Sequence, residues 1–343
     1  DIDSSTPLWD YATGDDVRSI AISSNGEYIA AGSNDYKVYL FDKDSSTPLQ
    51  SYSTGHDVVS VAISADGKYI AAGSVDNKVY LFDKDSSTPL WSYNTGNWVW
   101  SVTISMDGDY ISAGSHRNVY LFDKDSSTPL WEYTTGSEVD SIAVSADGEY
   151  IVAGSADAKI RLFDKDNSAP LWSYTAGHYV NSVAISADGE YITAGSNDDK
   201  VYLFGKDSST PLWSYEAGGS VYSVAISADG EYIVAGSGDN NVYLFDKDSS
   251  TPLWSYTTGD VHSVAISADG EYIVAGTYDD GVYFFDKDSS TPLWNYTTGS
   301  EVESVAISAD GEYIVAGTSD GCNGCSNLHL FDKDSSTPLW SYT

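Results

Sequence analysis

Basic residues and long apolar runs are both scarce in this chain of 343 residues. The sequence holds 16 Lys and Arg against 51 Asp and Glu, which gives a formal net charge of −35. Such a surface repels phosphate groups, so nucleic acids and anionic membrane surfaces are not expected as partners. No stretch approaches the roughly 18–20 apolar residues that a membrane-spanning helix requires, so membrane insertion is not expected either.

The acidic composition also indicates where the chain works. Dense carboxylates keep a protein hydrated at a surface or in high salt, and the chain starts at Asp1 rather than at a methionine, as a processed export product would. A trimmed chain would look the same. We predict an extracellular or cell-surface location.

Residues that commonly carry out chemistry are few. Five histidines are scattered along the chain and no Ser/His/Asp arrangement is visible, so we predict no catalytic residue, no metal and no cofactor. The two cysteines, Cys322 and Cys325, form a Cys-x-x-Cys inside the one insertion, residues 321–327. A metal or redox site would need a second ligand pair or a helix start there. The prediction is a small disulfide that pins this loop, and a zinc site with His329 is the alternative.

Proline is confined to a single recurring segment, Thr-Pro-Leu-Trp-Ser-Tyr or close to it. The nine prolines are Pro7, Pro48, Pro89, Pro129, Pro170, Pro211, Pro252, Pro292 and Pro338, spaced by 40 or 41 residues except for a last interval of 46. The block between them occurs eight times. Units this small cannot bury a core alone, so we predict one stacked array over residues 1–343. Residues 13–343 form its eight units, and residues 1–12 form an extra outer strand.

Helical periodicity is absent, and each unit divides into four short apolar segments. In the fourth unit they are Val139–Ser145, Glu149–Gly154, Lys159–Phe163 and Leu171–Tyr174. These segments are rich in Val, Ile, Tyr and Trp and are separated by polar turns, of which Asp-Gly is a strong hairpin signal. Four strands repeated eight times predict an all-β, eight-bladed β-propeller of four-stranded antiparallel blades. A β-solenoid is the alternative.

Two segments of the repeat resemble known propeller families. Val-x-Ser-Val-Ala-Ile-Ser-Ala-Asp-Gly-Glu-Tyr-Ile-Val-Ala-Gly-Ser, ending in Val-Tyr-Leu-Phe-Asp, resembles the WD40 repeat with Phe in place of its Trp. Phe-Asp-Lys-Asp-Ser-Ser-Thr-Pro-Leu-Trp-Ser-Tyr resembles the PQQ-like, quinoprotein-type repeat, whose fourth-strand Trp docks between blades. Both resemblances imply a propeller and leave the activity open. Quinoprotein dehydrogenases carry an adjacent Cys-Cys and a calcium-bound cofactor, and this chain has neither pattern.

Tryptophan recurs at one position of the fourth strand. It is present as Trp9, Trp91, Trp131, Trp172, Trp213, Trp254, Trp294 and Trp340, and Gln50 is the exception. An apolar side chain repeated in this way is typical of a core, where its burial contributes on the order of 3 kcal/mol. We predict that these side chains pack between blades.

The repeated fourth strand occurs once more than the rest of the unit. In WD40-like propellers a strand from the first residues completes the last blade, which is what the resemblance implies for this chain. The two terminal copies are Pro7, Leu8, Trp9 and Tyr11 at one end, and Pro338, Leu339, Trp340 and Tyr342 at the other. One of them is redundant in a closed ring. It either adds to a neighbouring molecule, building a head-to-tail homo-oligomer or filament, or forms a fifth strand on the last blade of its own molecule.

The units differ mainly at one end. The position after the first Val of the first strand is different in every unit, reading Arg18, Val59, Trp100, Asp140, Asn181, Tyr222, His262 and Glu303. Trp98 and Tyr179 lie just before this strand. We predict a diversified face that binds a protein or glycan, with Trp98, Trp100, Tyr179 and Tyr222 as aromatic anchors. The alternative is that unconstrained loops drifted after duplication.

The Asp-x-Asp-Ser-Ser-Thr turns, as at Asp42 and Asp44, could hold Ca²⁺. We prefer the alternative that these aspartates cap their own turns through side-chain hydrogen bonds. Asn295 begins one Asn-Tyr-Thr glycosylation acceptor.

These observations predict a non-enzymatic, exported structural or binding propeller that could polymerise into a fibre. The alternative is a carbohydrate-directed or quinone-dependent enzyme at the channel mouth, where Asp140, His262 and Glu303 could meet. Near-identical units argue against the enzyme, since asymmetric chemistry normally leaves one or two units remodelled.

Overall fold

The structure is a computed structural model, and it describes residues 11, 13–319 and 328–334. Within these residues every regular element is a β-strand. The strands of the first four blades are β1 (Val17–Ile22), β2 (Tyr28–Ser33), β3 (Lys37–Asp42), β4 (Gln50–Ser53), β5 (Val58–Ile63), β6 (Tyr69–Ser74), β7 (Lys78–Asp83), β8 (Trp91–Asn94), β9 (Val99–Ile104), β10 (Tyr110–Ser115), β11 (Asn118–Asp123), β12 (Trp131–Thr134), β13 (Val139–Val144), β14 (Tyr150–Ser155), β15 (Lys159–Asp164) and β16 (Asn167–Thr175). Those of the last four are β17 (Val180–Ile185), β18 (Tyr191–Ser196), β19 (Lys200–Gly205), β20 (Trp213–Glu216), β21 (Val221–Ile226), β22 (Tyr232–Ser237), β23 (Asn241–Asp246), β24 (Trp254–Thr257), β25 (Val261–Ile266), β26 (Tyr272–Thr277), β27 (Gly281–Asp286), β28 (Trp294–Thr297), β29 (Val302–Ile307), β30 (Tyr313–Thr318) and β31 (Leu328–Asp332).

Each blade is an antiparallel sheet in which consecutive strands are neighbours, with the first strand innermost and the fourth outermost. Seven blades have four described strands, and blade eight has three. Of the predicted outer strand Pro7–Tyr11 only Tyr11 is among the described residues, and the predicted outer strand Pro338–Tyr342 lies outside them, as do Cys322 and Cys325. The predicted fold class, an eight-bladed propeller of four-stranded blades, is confirmed.

A continuous ring of backbone hydrogen bonds closes the propeller around its channel. One residue at the start of the turn between the first and second strands of each blade donates its N–H to the carbonyl of the same position in the next blade, at 2.9–3.2 Å. The last bond runs from Ala309 back to Ser24. In order around the ring the residues are Ser24, Ala65, Met106, Ala146, Ala187, Ala228, Ala268 and Ala309. A closed ring excludes the solenoid, because the ends of a solenoid do not meet.

The hydrophobic core lies between blades rather than within any one of them. Between blades four and five, for example, Val152 and Leu162 of one sheet pack against Val180, Ile192 and Phe204 of the next. The second and third strands are buried on both faces by neighbouring blades, which explains their continuous apolar runs. A single blade could not bury these apolar side chains by itself, so the units are stable only as an array.

The turn between the first and second strands is built by short polar contacts and a glycine. In blade two, Asp66 Oδ1 accepts hydrogen bonds from Ser64 Oγ at 2.7 Å and from the Lys68 N–H at 2.9 Å. Gly67 follows at a φ of +74°, a left-handed conformation that glycine adopts without strain. A Cβ at Gly67 would lie 2.2 Å from Cδ2 of Tyr28 in blade one, so this glycine also lets the neighbouring ring approach.

The repeated tryptophan docks between blades, as predicted. In blade four the Trp172 indole lies 5.3 Å from the Phe204 ring of blade five, and its Nε1–H donates to the carbonyl of Lys206 at 2.7 Å. The same bond, from an indole to a lysine carbonyl of the next blade, is made at 2.7–2.9 Å by Trp91, Trp131, Trp213, Trp254 and Trp294. Each indole therefore ties its blade to the next one by packing and by one hydrogen bond.

Blade one has Gln50 in place of the tryptophan, and a tyrosine makes the contact with the next blade instead. Tyr52 is 2% exposed, stacks on Phe82 of blade two at 4.1 Å, and donates its hydroxyl to the carbonyl of Asp83 at 3.0 Å. A cavity of about 320 Å³ remains beside Gln50, lined by Tyr28, Asp42, Leu49, Gln50, Lys84 and Asp85. The tyrosine therefore replaces part of the missing indole and leaves the contact between these two blades underpacked.

We expect Gln50→Trp to raise the free energy of unfolding by about 1–2 kcal/mol, because an indole would fill this cavity and reach the carbonyl of Lys84. Urea unfolding followed by circular dichroism would measure the change. Gln50→Leu is the control, since it adds apolar surface without the N–H and should give a smaller gain. An equal gain from both variants would show that the hydrogen bond contributes nothing.

The fourth unit shows one difference from the predicted strand ends. Its outer strand was predicted at Leu171–Tyr174 but spans Asn167–Thr175, whereas the six other outer strands that the structure describes are four residues long. The reason is local sequence: this unit reads Asn-Ser-Ala where others read Ser-Ser-Thr, and Asn167 pairs directly with Asp164 in a tight hairpin. The Ala169 N–H then donates to Asn167 Oδ1 at 2.9 Å, which holds the extended strand from its first residue.

Candidate binding face

The two ends of the propeller carry different turns. The turns after the first and third strands of each blade lie at one end, called here the constant face. The turns after the second strand and the connections between blades lie at the other, called the variable face.

At the constant face the Asp-x-Asp turns cap themselves. The Asp85 N–H donates to Asp83 Oδ1 at 2.9 Å, and the Thr88 N–H donates to Ser86 Oγ at 3.2 Å. The same Asp cap recurs in most described blades. Among the described residues no group of three His, Cys, Asp or Glu side chains could hold a metal ion.

A bulge in the first strand produces the ring of unlike residues on the variable face. In blade one, Val17 pairs with Ser33 and Ser19 pairs with Gly32, so Arg18 is an extra residue without a pairing partner. The register shifts at the same place in the other blades. A bulge re-aims the side chain of the extra residue, and the first strand is the innermost one. The eight positions predicted from their variability therefore encircle the channel mouth.

Charged and aromatic side chains occupy one half of this mouth. Glu303, whose side chain is 12% exposed, lies 2.9 Å from the Arg18 guanidinium and 3.7 Å from His262 Nε2. The His262 ring lies 4.5 Å from the ring of Tyr278 and 6.3 Å from that of Tyr222. Four consecutive blades, six, seven, eight and one, thus contribute to one network at the mouth.

The three residues suggested for an enzyme do not gather at one place. His262 and Glu303 are neighbours on blades seven and eight, but Asp140 lies on blade four, opposite blade eight in the ring. Burial, with a smaller contribution from the charge of Glu138, raises the pKa of the Asp140 carboxyl to about 6. Asp140 is therefore a partly buried acid that stands apart from the His262 and Glu303 pair.

The raised pKa of Asp140 gives a pH dependence whose sign is fixed. Because the folded-state pKa of about 6 exceeds the unfolded value of about 3.9, the folded chain binds this proton more tightly and loses stability as the pH rises from about 4 to about 6. Asp140→Asn should therefore be more stable than the natural chain at pH 7.5, by about 1 kcal/mol once screening by water is allowed for, and similar to it at pH 4. Urea unfolding of both chains at the two pH values would measure this. A stability difference that does not change with pH would contradict the assignment.

Within the part of the chain that the structure describes, an aspartate link holds the variable face together in five blades. In blade five, Asp198 Oδ2 accepts a hydrogen bond from the Gly177 N–H at 2.6 Å and one from the Tyr202 hydroxyl at 2.6 Å. Burial and the Asp198 carboxylate together raise the pKa of Tyr202 well above its ordinary value. The same aspartate-to-glycine bond, at 2.7–2.9 Å, joins Asp35 to Gly14, Asp76 to Gly55, Asp157 to Gly136 and Asp239 to Gly218.

Blade three lacks this link. Its turn after the second strand holds only His116 and Arg117 and contains no aspartate, whereas the corresponding turn of blade two has three residues. The Gly96 N–H instead donates to Asn94 Oδ1 at 2.8 Å, and Gly96 takes a φ of +81°. The shorter turn and the displaced glycine open the variable face at this blade.

The opening is a cavity of about 350 Å³, called here the Trp98 pocket. It is lined by Asn77, Gly96, Asn97, Trp98, His116 and Glu138, which come from blades two and three and the connections that follow them. The Trp98 side chain is 51% exposed, and its ring meets the Trp100 ring edge to face, at 5.3 Å and 81°. His116 Nδ1 lies 3.0 Å from Glu138 Oε1. The pocket combines one presented indole with amides, an imidazole and a carboxylate.

The remaining predicted residues have separate positions around the face. Tyr179 is 49% exposed and contacts His178, with ring centroids 4.4 Å apart. Asn181 joins blades five and six, since its Nδ2 donates to the Val221 carbonyl at 2.9 Å and to Asn197 Oδ1 at 2.6 Å. Val59 occupies the bulge position of blade two. His329, suggested as a zinc ligand, is 3% exposed on the third strand of blade eight, where six other blades have tyrosine.

Sequence variability alone did not identify Asn77 and Gly96 as parts of this pocket. The available signal was the interval of 40 residues between Pro89 and Pro129, where 41 is usual, which marks the deletion in the turn of blade three. The shortened turn matters only because the missing aspartate is the one that bonds the glycine in other blades.

The fold and the repeated Trp contacts define a β-propeller of the binding or structural kind in general terms. The family model described as outer membrane protein assembly factor BamB matches residues 1–185, 75–222, 156–308 and 197–343. These matches together span the chain, so it belongs to this family of propellers with PQQ-like repeats.

Other comparisons concern the fold alone. The crystal structure of the computationally designed Ika8 protein is similar to this chain with a TM-score of 0.82 and 15% sequence identity, over 95% of this chain and 99% of the designed one. No curated protein matches the chain. Among the described residues, no helix has the length and apolar character needed to span a membrane.

Proposed function

We propose that this chain is a non-enzymatic binding and structural propeller whose variable face holds a protein or glycan. The observation that carries the proposal is the contrast between its two ends. The turns of the constant face repeat one set of capping bonds, whereas the bulge residues of the variable face differ in every blade and blade three has lost its aspartate link. A rigid scaffold with one diversified end is typical of recognition proteins.

Binding to immobilised extracellular-matrix proteins and to a printed glycan array tests this proposal. A variant with Trp98, Tyr179 and Tyr222 changed to serine should lose at least ten-fold in affinity for whichever probe binds. A control variant with Leu171, Leu212 and Leu253 changed to serine should keep its affinity, because these exposed side chains lie at the outer strands. Equal binding by the two variants would contradict a role for the variable face. A bound ligand whose mass changes on incubation would contradict the absence of enzyme activity.

We also propose that the chain assembles with copies of itself through its surplus outer strand. Tyr11 supports this, because its ring lies 5.1 Å from Tyr39 and 5.3 Å from Phe41, at interplanar angles of 57° and 62°. The outer-strand Tyr174 meets Tyr202 and Phe204 of the next blade in nearly the same way, at 5.3 and 5.2 Å and at 59° and 61°. Tyr11 thus holds the place of an outer-strand tyrosine of the blade before blade one, which is blade eight.

If the first copy completes blade eight, the copy at Pro338–Tyr342 is available to the outer position of blade eight in a neighbouring molecule. Repeated head to tail, this exchange would build a filament. Deleting residues 1–11 or residues 336–343 leaves eight outer strands for eight blades, so each deletion should give a monomer where the full chain forms polymers. Sizing and negative-stain microscopy would measure this. An oligomeric state that neither deletion changes would rule out strand exchange.

Export to the cell surface or beyond completes the proposal. The net charge of −35 supports it, because a surface dense in carboxylates stays hydrated outside the cell. Protease added to intact cells of the source organism should remove the protein, detected with an antibody. Protection until the cells are lysed would contradict export.

A further inference from the structure

We infer that the Trp98 pocket binds a neutral pyranose ring, one residue of a glycan, stacked on the Trp98 indole. This inference rests on the proposed function, since it names the ligand class for one part of the variable face. A volume of about 350 Å³ lies at the lower end of the range of small-ligand pockets, which suits a single ring better than an extended peptide.

The indole of Trp98 is presented rather than buried. Its side chain is 51% exposed, whereas the interblade Trp294 is 8% exposed. The edge-to-face contact with Trp100 holds the ring, so little side-chain freedom remains to be lost on binding. The C–H groups on one side of a pyranose form a flat apolar surface, and dispersion attraction to an aromatic face is the contact it can make best.

The remaining walls suit the hydroxyl groups of a sugar. A hydroxyl both donates and accepts, and it needs partners of both kinds when it leaves water. Asn77 and Asn97 offer amide donors and acceptors, and Glu138 offers a carboxylate held by His116 at 3.0 Å. The indole contacts the apolar C–H face of the sugar ring, and the amide, imidazole and carboxylate groups contact its hydroxyl groups.

Charge and aromatic number exclude two other ligand classes. Phosphorylated or carboxylated sugars would meet Glu138 in a chain with a net charge of −35, which disfavours anions. A quaternary ammonium group is normally held by a cage of several Trp, Tyr or Phe rings, and Trp98 is the single residue of these three types among those that line this pocket. A neutral sugar fits this lining better than either class.

Blade five shows that the deletion in blade three matters as much as the aromatic residue. Tyr179 stands at the position that corresponds to Trp98 and is likewise half-exposed, at 49%. There, however, the Asp198 bond to the Gly177 N–H, at 2.6 Å, keeps the loop closed. The open pocket therefore arises from the lost aspartate link together with the presented indole.

The test is titration of the full chain with glucose, galactose, mannose and N-acetylglucosamine, and with oligosaccharides of each, followed by tryptophan fluorescence and calorimetry. At least one neutral sugar should bind, and Trp98→Ala should weaken it at least ten-fold. Trp98→Phe, which keeps an aromatic face, should weaken it by only about two- to three-fold. Asn97→Ala should weaken it about five-fold. Leu130→Ala is the control and should bind normally, because this exposed side chain of blade three lies at the constant-face end of its strand.

The outcomes separate this inference from the proposed function. Binding of no neutral sugar, undiminished binding by Trp98→Ala, or preference for choline over every sugar would overturn the pyranose assignment. If the matrix-protein probes still bind the variable face in any of these cases, the proposed function stands without the sugar. If neither the sugars nor the matrix-protein probes bind, and the variable-face variant behaves like its control, both the pyranose assignment and the proposed function are contradicted.

Discussion

Replacing Trp172 with alanine should lower the free energy of unfolding by about 3 kcal/mol. The indole packs on Phe204 of the next blade with ring centroids 5.3 Å apart, and its Nε1–H donates to the Lys206 carbonyl at 2.7 Å. Alanine would remove both contacts and leave a cavity between blades four and five. Urea unfolding followed by circular dichroism would measure the loss.

Two further variants show how much of this stability loss comes from the hydrogen bond and how much would arise at a neighbouring exposed position. Trp172→Phe keeps an aromatic ring but no N–H, and should cost about 1 kcal/mol, the contribution of an ordinary hydrogen bond. Leu171→Ala is the matched control, because the adjacent Leu171 is 54% exposed and should change stability by less than about 0.5 kcal/mol. A loss for Trp172→Ala no larger than that of Leu171→Ala would show that the repeated tryptophan does not hold the blades together.

Gly148→Ala should cost about 2–4 kcal/mol for two separate reasons. Gly148 has a φ of +74°, where a side chain strains the backbone, and a Cβ there would lie 2.4 Å from Cδ2 of Tyr110 in the preceding blade. The constant-face turn and the packing of the neighbouring tyrosine would both be disturbed. Thermal and urea unfolding would measure the loss.

Gly205→Ala is the control for this substitution. Gly205 ends the third strand of blade five, has no positive φ, and would have no atom within 4 Å of an added Cβ. Alanine there should be neutral or stabilise by about 0.5 kcal/mol, because it restricts the unfolded chain. Adding Tyr110→Ala to Gly148→Ala should recover the steric part of the cost. A double variant whose losses simply add would show that the Tyr110 ring is not involved.

Much of the architecture could be predicted from residue patterns. The strand predicted at Lys159–Phe163 spans Lys159–Asp164, and that predicted at Val139–Ser145 spans Val139–Val144. Local signals sufficed because every unit repeats the same hairpin turns and apolar segments. The outer strand of blade four was predicted too short, because its extension depends on the pairing of Asn167 with Asp164, which no propensity indicates.

The candidate site could be predicted only in part. The bulge position was visible as variability, and Trp98 and Trp100 as aromatic residues outside the repeated core position. The neighbours that make Trp98 part of a pocket were not visible, because Asn77 and Glu138 lie 21 and 40 residues from it along the chain and meet it only across blades. Likewise the separation of Asp140 from His262 and Glu303 follows from the circular arrangement of blades, not from their spacing in sequence.

Sequence alone determined the number of units, the four strands of each, the tryptophans between blades and the end at which the units differ. These properties are periodic or local, since a turn or an apolar strand is specified by residues within a few positions. Tertiary structure decided the closure of the ring from Ala309 to Ser24, the contact of Tyr11 with blade one, and the pocket beside Trp98. The physical reason is that each of these three features depends on which surfaces meet when eight twisted sheets pack around one axis. The residues of a single unit do not specify that arrangement.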